Sequence, residues 1–368
     1  MQPTLDLPAD PALPGLAAIR TVGLGRAIPA LRLNDGPVEL RLCTRVPGSR
    51  ATFEARVGDR RFAVKLYADD AAPEAELYQA LAQAGLAGAS GARVPPLLAW
   101  DRDLKVVVLG WLDGRPANEL IKQGLGGRAG ELAGSWLRRA AAVPVSVGPP
   151  CGPGRMLYQV GVSVAALGAV DPDLGTAAKS VARALGRAQP REGPRRLVHG
   201  TLYARHIFDL GDGPGVIDWQ QFGQGPIEVD AGMFLATTGR LGLRHPLLAP
   251  QVARAEAAFL AATDGLLNLA TLDWYRAAGL LHLAARGLKT GLKRDPPPEA
   301  RALVEEAGAV VERAARTRPV AEAHPRPGQA VRRSALELVL RALSSRPATS
   351  EELDQIRQLL DDASSPAE

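Results

Sequence analysis

Asp218 closes the apolar run Gly215-Val216-Ile217, and a short buried strand of this kind carries its last side chain to a fixed point at the sheet end. A carboxylate buried there without a partner is costly, so the placement suits a hard cation bound through oxygen. The alternative is a carboxylate that only caps the turn before Trp219. The block that contains it, residues 197–219, reads LVHGTLYARHIFDLGDGPGVIDW. His199, Thr201 and His206 stand close together in it, with no carboxylate before Asp209. Imidazole can exchange a proton near neutral pH, whereas a threonine hydroxyl, with its very high pKa, cannot take one as a carboxylate can.

The order His199-Gly200-Thr201, four residues, His206, and then Ile217-Asp218-Trp219 with Gly225 and Asp230 resembles the catalytic loop and metal-binding strand of the aminoglycoside phosphotransferase and choline kinase-like group. There the loop runs His-Gly-Asp, four residues, Asn. The resemblance covers about residues 38–316 and is specific in 197–235. It implies an α+β, bilobal protein kinase-like fold, with a small N-terminal antiparallel-sheet lobe and a larger, mainly helical C-terminal lobe. It also implies ATP or another nucleoside triphosphate, with Mg²⁺ and Mn²⁺ as the alternative. Lys65 in FAVKL then grips the phosphates, held by an ion pair to Glu76 in preference to Glu74. The stretch Arg45–Arg50 resembles a Pro-Gly-Arg turn used over phosphates, with Gly48 and Arg50 facing an anion; an ordinary hairpin turn is the alternative. Asp218 becomes the metal ligand, Asp230 a brace of the loop, and His199 a brace rather than a base.

Two positions depart from that pattern. Thr201 replaces the acid that would accept the hydroxyl proton, a service worth about 10²–10⁴-fold. His206 replaces an oxygen ligand with an imidazole, which suits Mn²⁺ or Zn²⁺ better than Mg²⁺, or else packs against the loop with no ligand role. The expectation is a phosphotransferase of impaired catalysis acting on a small-molecule hydroxyl. The alternatives are a pseudokinase, which binds or scaffolds without turnover, and a fold that moves a nucleotidyl group instead. Residues 231–272 carry only Glu256 and Asp264 as acids, so polycationic aminoglycosides are a poor match for the acceptor.

Elements that position these residues follow from local pattern. Val38–Cys43, Ala51–Val57 and Arg61–Tyr67 read as strands, with a tight turn at Val57-Gly58-Asp59-Arg60. Asp70–Gly85 reads as helix, with Leu77, Leu81 and Ala84 on one stripe, and Val106–Leu109 as a short buried strand. Asp171-Pro172 reads as an N-cap with proline at the first helical position of a helix to about Ala188. Amphipathic stretches follow at 250–264, 270–293 and 299–316. The expected organisation is an irregular lead-in over 1–37, a nucleotide-binding lobe over 38–110, a helical lobe over 111–318, and a Pro-rich linker with a helical hairpin over 319–368. The hairpin, at 331–345 and 350–363, either packs on the large lobe or docks a protein partner.

Composition excludes several classes. The 368 residues suffice for two cores. Arginines spread along the chain, and aromatics at 4%, give no basic face interleaved with rings, so no nucleic acid is expected. Cys43 and Cys151 form no metal-binding pair, and a cytoplasmic setting is expected. The first residues lack the pattern of a secretory signal. The longest apolar run, Tyr158–Val170, is too short to span a bilayer.

Overall fold

The computed structural model describes residues 9–33, 37–288 and 294–317, which divide into two compact units. One takes the chain up to Arg115 together with His206–Gln220, and the other takes Pro116–Arg205 and the residues from Gln221 onward.

The first unit is built on β1 (Glu39–Val46), β2 (Arg50–Val57), β3 (Arg60–Tyr67), β4 (Leu97–Asp101) and β5 (Val106–Gly110), in the antiparallel order β1-β2-β3-β5-β4. Strand alternation decides which side chain does what. Phe62, Val64 and Leu66 enter a core with Phe53, Val106 and Val108, leaving Lys65 for the opposite face. There it sits in register with Thr52 on β2 and Val107 on β5. Helix α3 (Ala72–Gln83) follows β3.

The lead-in departs from the irregular segment expected. It forms helices α1 (Pro14–Val22) and α2 (Leu24–Ala27), and Leu13, Leu16, Ile19, Leu24, Ile28 and Leu31 share the core of the sheet. Pro14 at the helix start pre-sets its φ, and the spacing of Leu13, Leu16 and Ile19 makes an apolar stripe that must be covered. Each such side chain, once buried, contributes roughly 1.5–3 kcal/mol.

A second departure is the return of the chain to this unit. Strands β8 (Ile207–Asp209) and β9 (Pro214–Val216) pair as a hairpin, Ile207 opposite Val216 and Asp209 opposite Pro214. Arg93 ties it down. Its N–H donates to the Pro214 carbonyl at 3.0 Å, its carbonyl accepts from Val216 N–H at 3.0 Å, and its guanidinium binds Asp212 at 2.8 Å.

The chain passes into the second unit at the two-residue strand β6 (Arg115–Pro116). Helices α4 (Ala117–Lys122), α5 (Gly126–Ala141), α6 (Pro153–Val170) and α7 (Pro172–Arg187) come first. Strand β7 (Arg196–Val198) then pairs with β10 (Gly223–Gly225). Helices α8 (Glu228–Arg244), α9 (Ala249–Ala262), α10 (Leu269–Ala284) and α11 (Ala300–Thr317) complete it. The Asp171 carboxylate caps α7 by accepting from Leu174 N–H at 2.9 Å. Side chains of α6, α7, α10 and α11 form one core, and Trp274 donates its indole N–H to the Leu185 carbonyl at 2.9 Å. Helix α10 stops at Ala284, short of the expected residue 293, and Gly287 follows at φ +89°. Among the described residues no helix is long and apolar enough to cross a membrane. The helices expected at 331–345 and 350–363 lie outside the described residues.

Candidate functional site

In the first unit Lys65 is the centre of a buried network. Its ammonium is bonded to Glu74 in the first turn of α3 and lies 3.6 Å from Asp218 Oδ1. The Tyr67 hydroxyl donates to the second Glu74 oxygen and accepts from the Gln220 amide at 3.2 Å. Burial by itself would lower the Lys65 pKa, but the Glu74 charge, helped by Asp218, outweighs it and holds the ammonium charged, well above its ordinary range. Burial also pushes the Tyr67 and Tyr78 phenols up, so both stay neutral.

The expected partner Glu76 is therefore corrected to Glu74. Two residues along a helix is a rotation of about 200°, and Glu74 shares the inward face with Leu77, Tyr78 and Leu81 while Glu76 faces solvent.

Asp218 sits just past β9 with φ +71°, in the left-handed region, a conformation that aspartate tolerates better than most residues. Its side chain is 41% exposed, and His206 Nε2 is 3.4 Å from Oδ2 while His206 itself is buried. The backbone joins the same two residues' neighbourhoods, Ile217 N–H donating to the His206 carbonyl at 3.1 Å. Asp218 and His206 are thus adjacent donors, and among the described residues no third His, Cys, Asp or Glu completes a metal cluster with them. One accessible carboxylate beside a buried ammonium fits a divalent ion that takes its remaining ligands from phosphate and water.

The turn between β1 and β2 is already satisfied from within. Gly48, at φ +70°, donates its N–H to Asp10 at 2.9 Å, and Arg45 binds the same carboxylate at 3.3 Å. The Gly48 N–H holds the Asp10 carboxyl below the usual range despite opposing burial. Gly48 therefore does not face an outside anion. Arg50 is exposed and pairs with no carboxylate among the described residues.

In the second unit, Asp230 in the first turn of α8 is wholly buried. Its two oxygens accept the backbone N–H groups of His199 at 2.7 Å and Gly200 at 2.8 Å. Burial raises its pKa to about 7 against the lowering pull of those two bonds. Gly200 has φ +78°, and a Cβ there would fall 2.1 Å from the Gln221 carbonyl, so only glycine lets the loop lie this close. The His199 side chain is fully buried, out of reach of a solute. Thr201 is half-buried, and its carbonyl accepts from Tyr203 N–H at 2.7 Å. The Tyr203 hydroxyl is 3.1 Å from His282 Nε2, and the guanidinium carbons of Arg205 and Arg286 stand 4.3 Å and 5.6 Å from its ring centroid.

The structure thus brings Lys65, Asp218 and His206 together, and separately His199 with Asp230. Glu76 and Arg50 join neither group. Sequence reasoning missed Asp10, Tyr67 and Gln220, and ranked Glu74, the pairing acid, second to Glu76. Of these only Glu74 left a signal, since it lies one turn before Leu77 on the stripe already visible.

Solved structures share this fold. A thermostable mutant of aminoglycoside phosphotransferase APH(4)-Ia, in a ternary complex with ADP and hygromycin B, superposes with a TM-score of 0.55 at 16% identity, over 75% of this chain and 94% of that one. A choline/ethanolamine kinase family protein from Mesorhizobium loti gives 0.51 at 19% identity, over 88% of this chain and 98% of that one. Spectinomycin phosphotransferase APH(9)-Ia, in complex with ADP and spectinomycin, gives 0.52 at 12% identity, over 77% and 94%. Among curated proteins no sequence matches. The profile of the phosphotransferase enzyme family, APH, matches residues 43–275; that span runs from the first strand past Lys65, the Asp230-braced loop and Asp218, and the chain belongs to this family.

Proposed function

We propose that the chain transfers the γ-phosphoryl group of ATP, or of another nucleoside triphosphate, to a hydroxyl of a small molecule, slowly, because Thr201 stands at the proton-accepting position. The observation that carries this reading is the buried Lys65–Glu74 pair with Asp218 at 3.6 Å. A buried ion pair is a weak way to stabilise a fold, since desolvation offsets its attraction. Beside a partly exposed carboxylate it is well suited to hold a polyanion. The ADP complexes of two structures with the same fold lend support.

In the step, the acceptor oxygen forms a bond to the γ-phosphorus as the bond from that phosphorus to the β–γ bridging oxygen breaks. The nucleoside diphosphate leaves with the electron pair. The hydroxyl proton passes to a transferred phosphate oxygen or to water. A loose transition state of this kind asks mainly for positioning and positive charge, and Lys65 supplies charge at a fixed point. A divalent cation, when bound, neutralises phosphate charge; Asp218 would hold it. With imidazole adjacent, Mn²⁺ is favoured over Mg²⁺. Thr201 and His206 also favour a second reading, nucleotide binding without turnover. Both thiols, at Cys43 and Cys151, are unpaired, in keeping with a reducing cytoplasm.

The test is melting with ATP and Mg²⁺ or Mn²⁺, followed by nucleoside diphosphate release. Ligand at about 100 times Kd stabilises by ~2.7 kcal/mol. Asp218→Asn, which tolerates the left-handed backbone, is expected to remove the metal-dependent part, and Thr201→Asp to raise turnover. Absence of any shift with nucleotide and metal sinks both readings. A shift with no product from either the wild type or Thr201→Asp sinks transfer and leaves binding.

A further inference from the structure

We infer that Tyr67 and Gln220 are positioning residues of the proposed transfer, which hold the Lys65–Glu74 pair and the segment carrying Asp218 in one register so that a metal–nucleotide complex meets both. The inference rests on the phosphotransferase reading and concerns the same site.

Lys65 and Tyr67 are two apart on β3 and so share one face of the sheet, and the Lys65 ammonium is 5.8 Å from the Tyr67 ring centroid. The backbone of Tyr67 is fixed by its N–H, which donates to the Lys105 carbonyl at 3.1 Å. Glu74 comes from the first turn of α3. Lys65 takes one of its oxygens and the Tyr67 hydroxyl the other, so the carboxylate is held at two points. The third arm is Gln220, 153 residues beyond Tyr67 in the chain, whose amide donates to the Tyr67 hydroxyl at 3.2 Å. Gln220 and Asp218 flank Trp219, which is 1% exposed and donates its indole N–H to the Val216 carbonyl at 3.3 Å. With Trp219 pinned between them, an anchor at Gln220 is also an anchor for Asp218.

Phenylalanine at position 67 would fill the same space, and Glu74 already has the Lys65 charge as its partner. What tyrosine adds is one donor and one acceptor. Burial raises the phenol's pKa, so its single proton stays on the oxygen and goes to Glu74, which leaves the lone pairs for the Gln220 N–H. Bonds linked in this way polarise one another. The chain of contacts from Gln220 through Tyr67 and Glu74 to Lys65 therefore runs in one direction, from the segment that carries Asp218 to the ammonium. Asp218 itself stands 3.6 Å from Lys65, longer than a hydrogen bond, so the spacing of carboxylate and ammonium is left to this network rather than to a direct bond.

The experiment is calorimetric titration of the whole protein with the non-hydrolysable analogue AMP-PNP, once with Mn²⁺ and once with EDTA. It compares the parent, Tyr67→Phe, Gln220→Leu, the double variant, and Gly130→Ala as a destabilised control in the second unit. Tyr67→Phe is expected to weaken Mn²⁺-bound AMP-PNP about tenfold, the worth of one hydrogen bond to a charged group, with metal-free AMP-PNP unchanged. Gln220→Leu should lose about threefold, as for a neutral bond. The double variant should lose no more than Tyr67→Phe alone, since both changes act through one hydroxyl. Gly130→Ala should keep both affinities at the parent's values. The inference is overturned if Tyr67→Phe has no effect or weakens binding equally with and without metal, if the losses of the two single variants multiply, or if Gly130→Ala reproduces the metal-specific loss. Should Tyr67→Phe fail to fold, Gln220→Leu decides by the same comparison. A parent protein that binds AMP-PNP equally with and without Mn²⁺ overturns the inference and leaves nucleotide binding, whereas one that binds no AMP-PNP removes the phosphotransferase reading and the inference with it.

Discussion

Glu74 and Glu76 differ by two positions on one helix, and the difference separates a buried partner from a solvated side chain. Glu74→Gln leaves the Lys65 ammonium buried without its carboxylate, and breaking a buried pair from one side costs roughly 3–5 kcal/mol. Glu76→Gln should stay within about 0.5 kcal/mol of the parent. Urea unfolding of the two variants checks this, with nucleotide titration as the second readout; equal losses would contradict the assigned pair. Lys65 and Asp218 were legible in the sequence because Lys65 lies within a strand whose alternation fixes its direction and Asp218 follows the apolar run that becomes β9. Asp10 was not: it lies in a Pro-rich stretch with no periodicity, and only the fold brings it to the turn at Gly48. Tyr67 and Gln220 are distant in sequence and meet at 3.2 Å for the same reason.

At the scale of elements, two carboxylates anchor backbone or strand neighbours and give stability slopes of opposite sign. Asp230, raised to about 7 by burial against an ordinary value of 3.8, keeps its proton in the folded state where the unfolded chain has lost it. Stability from this group therefore falls as pH rises from 3.8 towards about 7, and Asp230→Asn should remove that slope. Glu54 is held at about 2, burial being outweighed by the bonds from Arg41, Arg56 and Arg61. Its contribution is complete above the ordinary value of 4.5 and is lost as pH falls towards 2, which Glu54→Gln should flatten. Unfolding measured across both windows distinguishes the two. Helix α7 was legible from its cap and proline, whereas α5, which falls in the expected helical lobe, was not singled out, since Gly126, Gly130 and Gly134 lower helix propensity. Their fourfold spacing puts them on one helix face against α9, where a Cβ at Gly130 would fall 2.1 Å from the Ala255 carbonyl. Gly130→Ala is accordingly expected to lower the melting temperature, although alanine is the better helix former by about 1 kcal/mol. A rise in melting temperature would refute the close approach.

For the whole molecule, the sequence order of strands, helix and helices made the architecture legible, while the interleaving of the units was not, because hairpin pairing with Arg93 spans more than a hundred residues of chain. A fragment ending at Arg115 lacks the β8–β9 hairpin, leaving Arg93 without Asp212 and Lys65 without Asp218. It is expected to melt below the parent's first transition and to show no metal-dependent nucleotide binding, as calorimetry would reveal. The same discontinuity sets a schedule during synthesis. With translation at about 5–20 residues per second, the sheet, α3 and its Lys65–Glu74 pair can form early, yet Asp218 leaves the ribosome only after the ninety residues Pro116–Arg205. Until then the nascent chain carries Lys65 with Glu74 but without Asp218, so under the proposed function competence for a metal-bound polyanion arrives as a late event, timed by chain position rather than by folding speed.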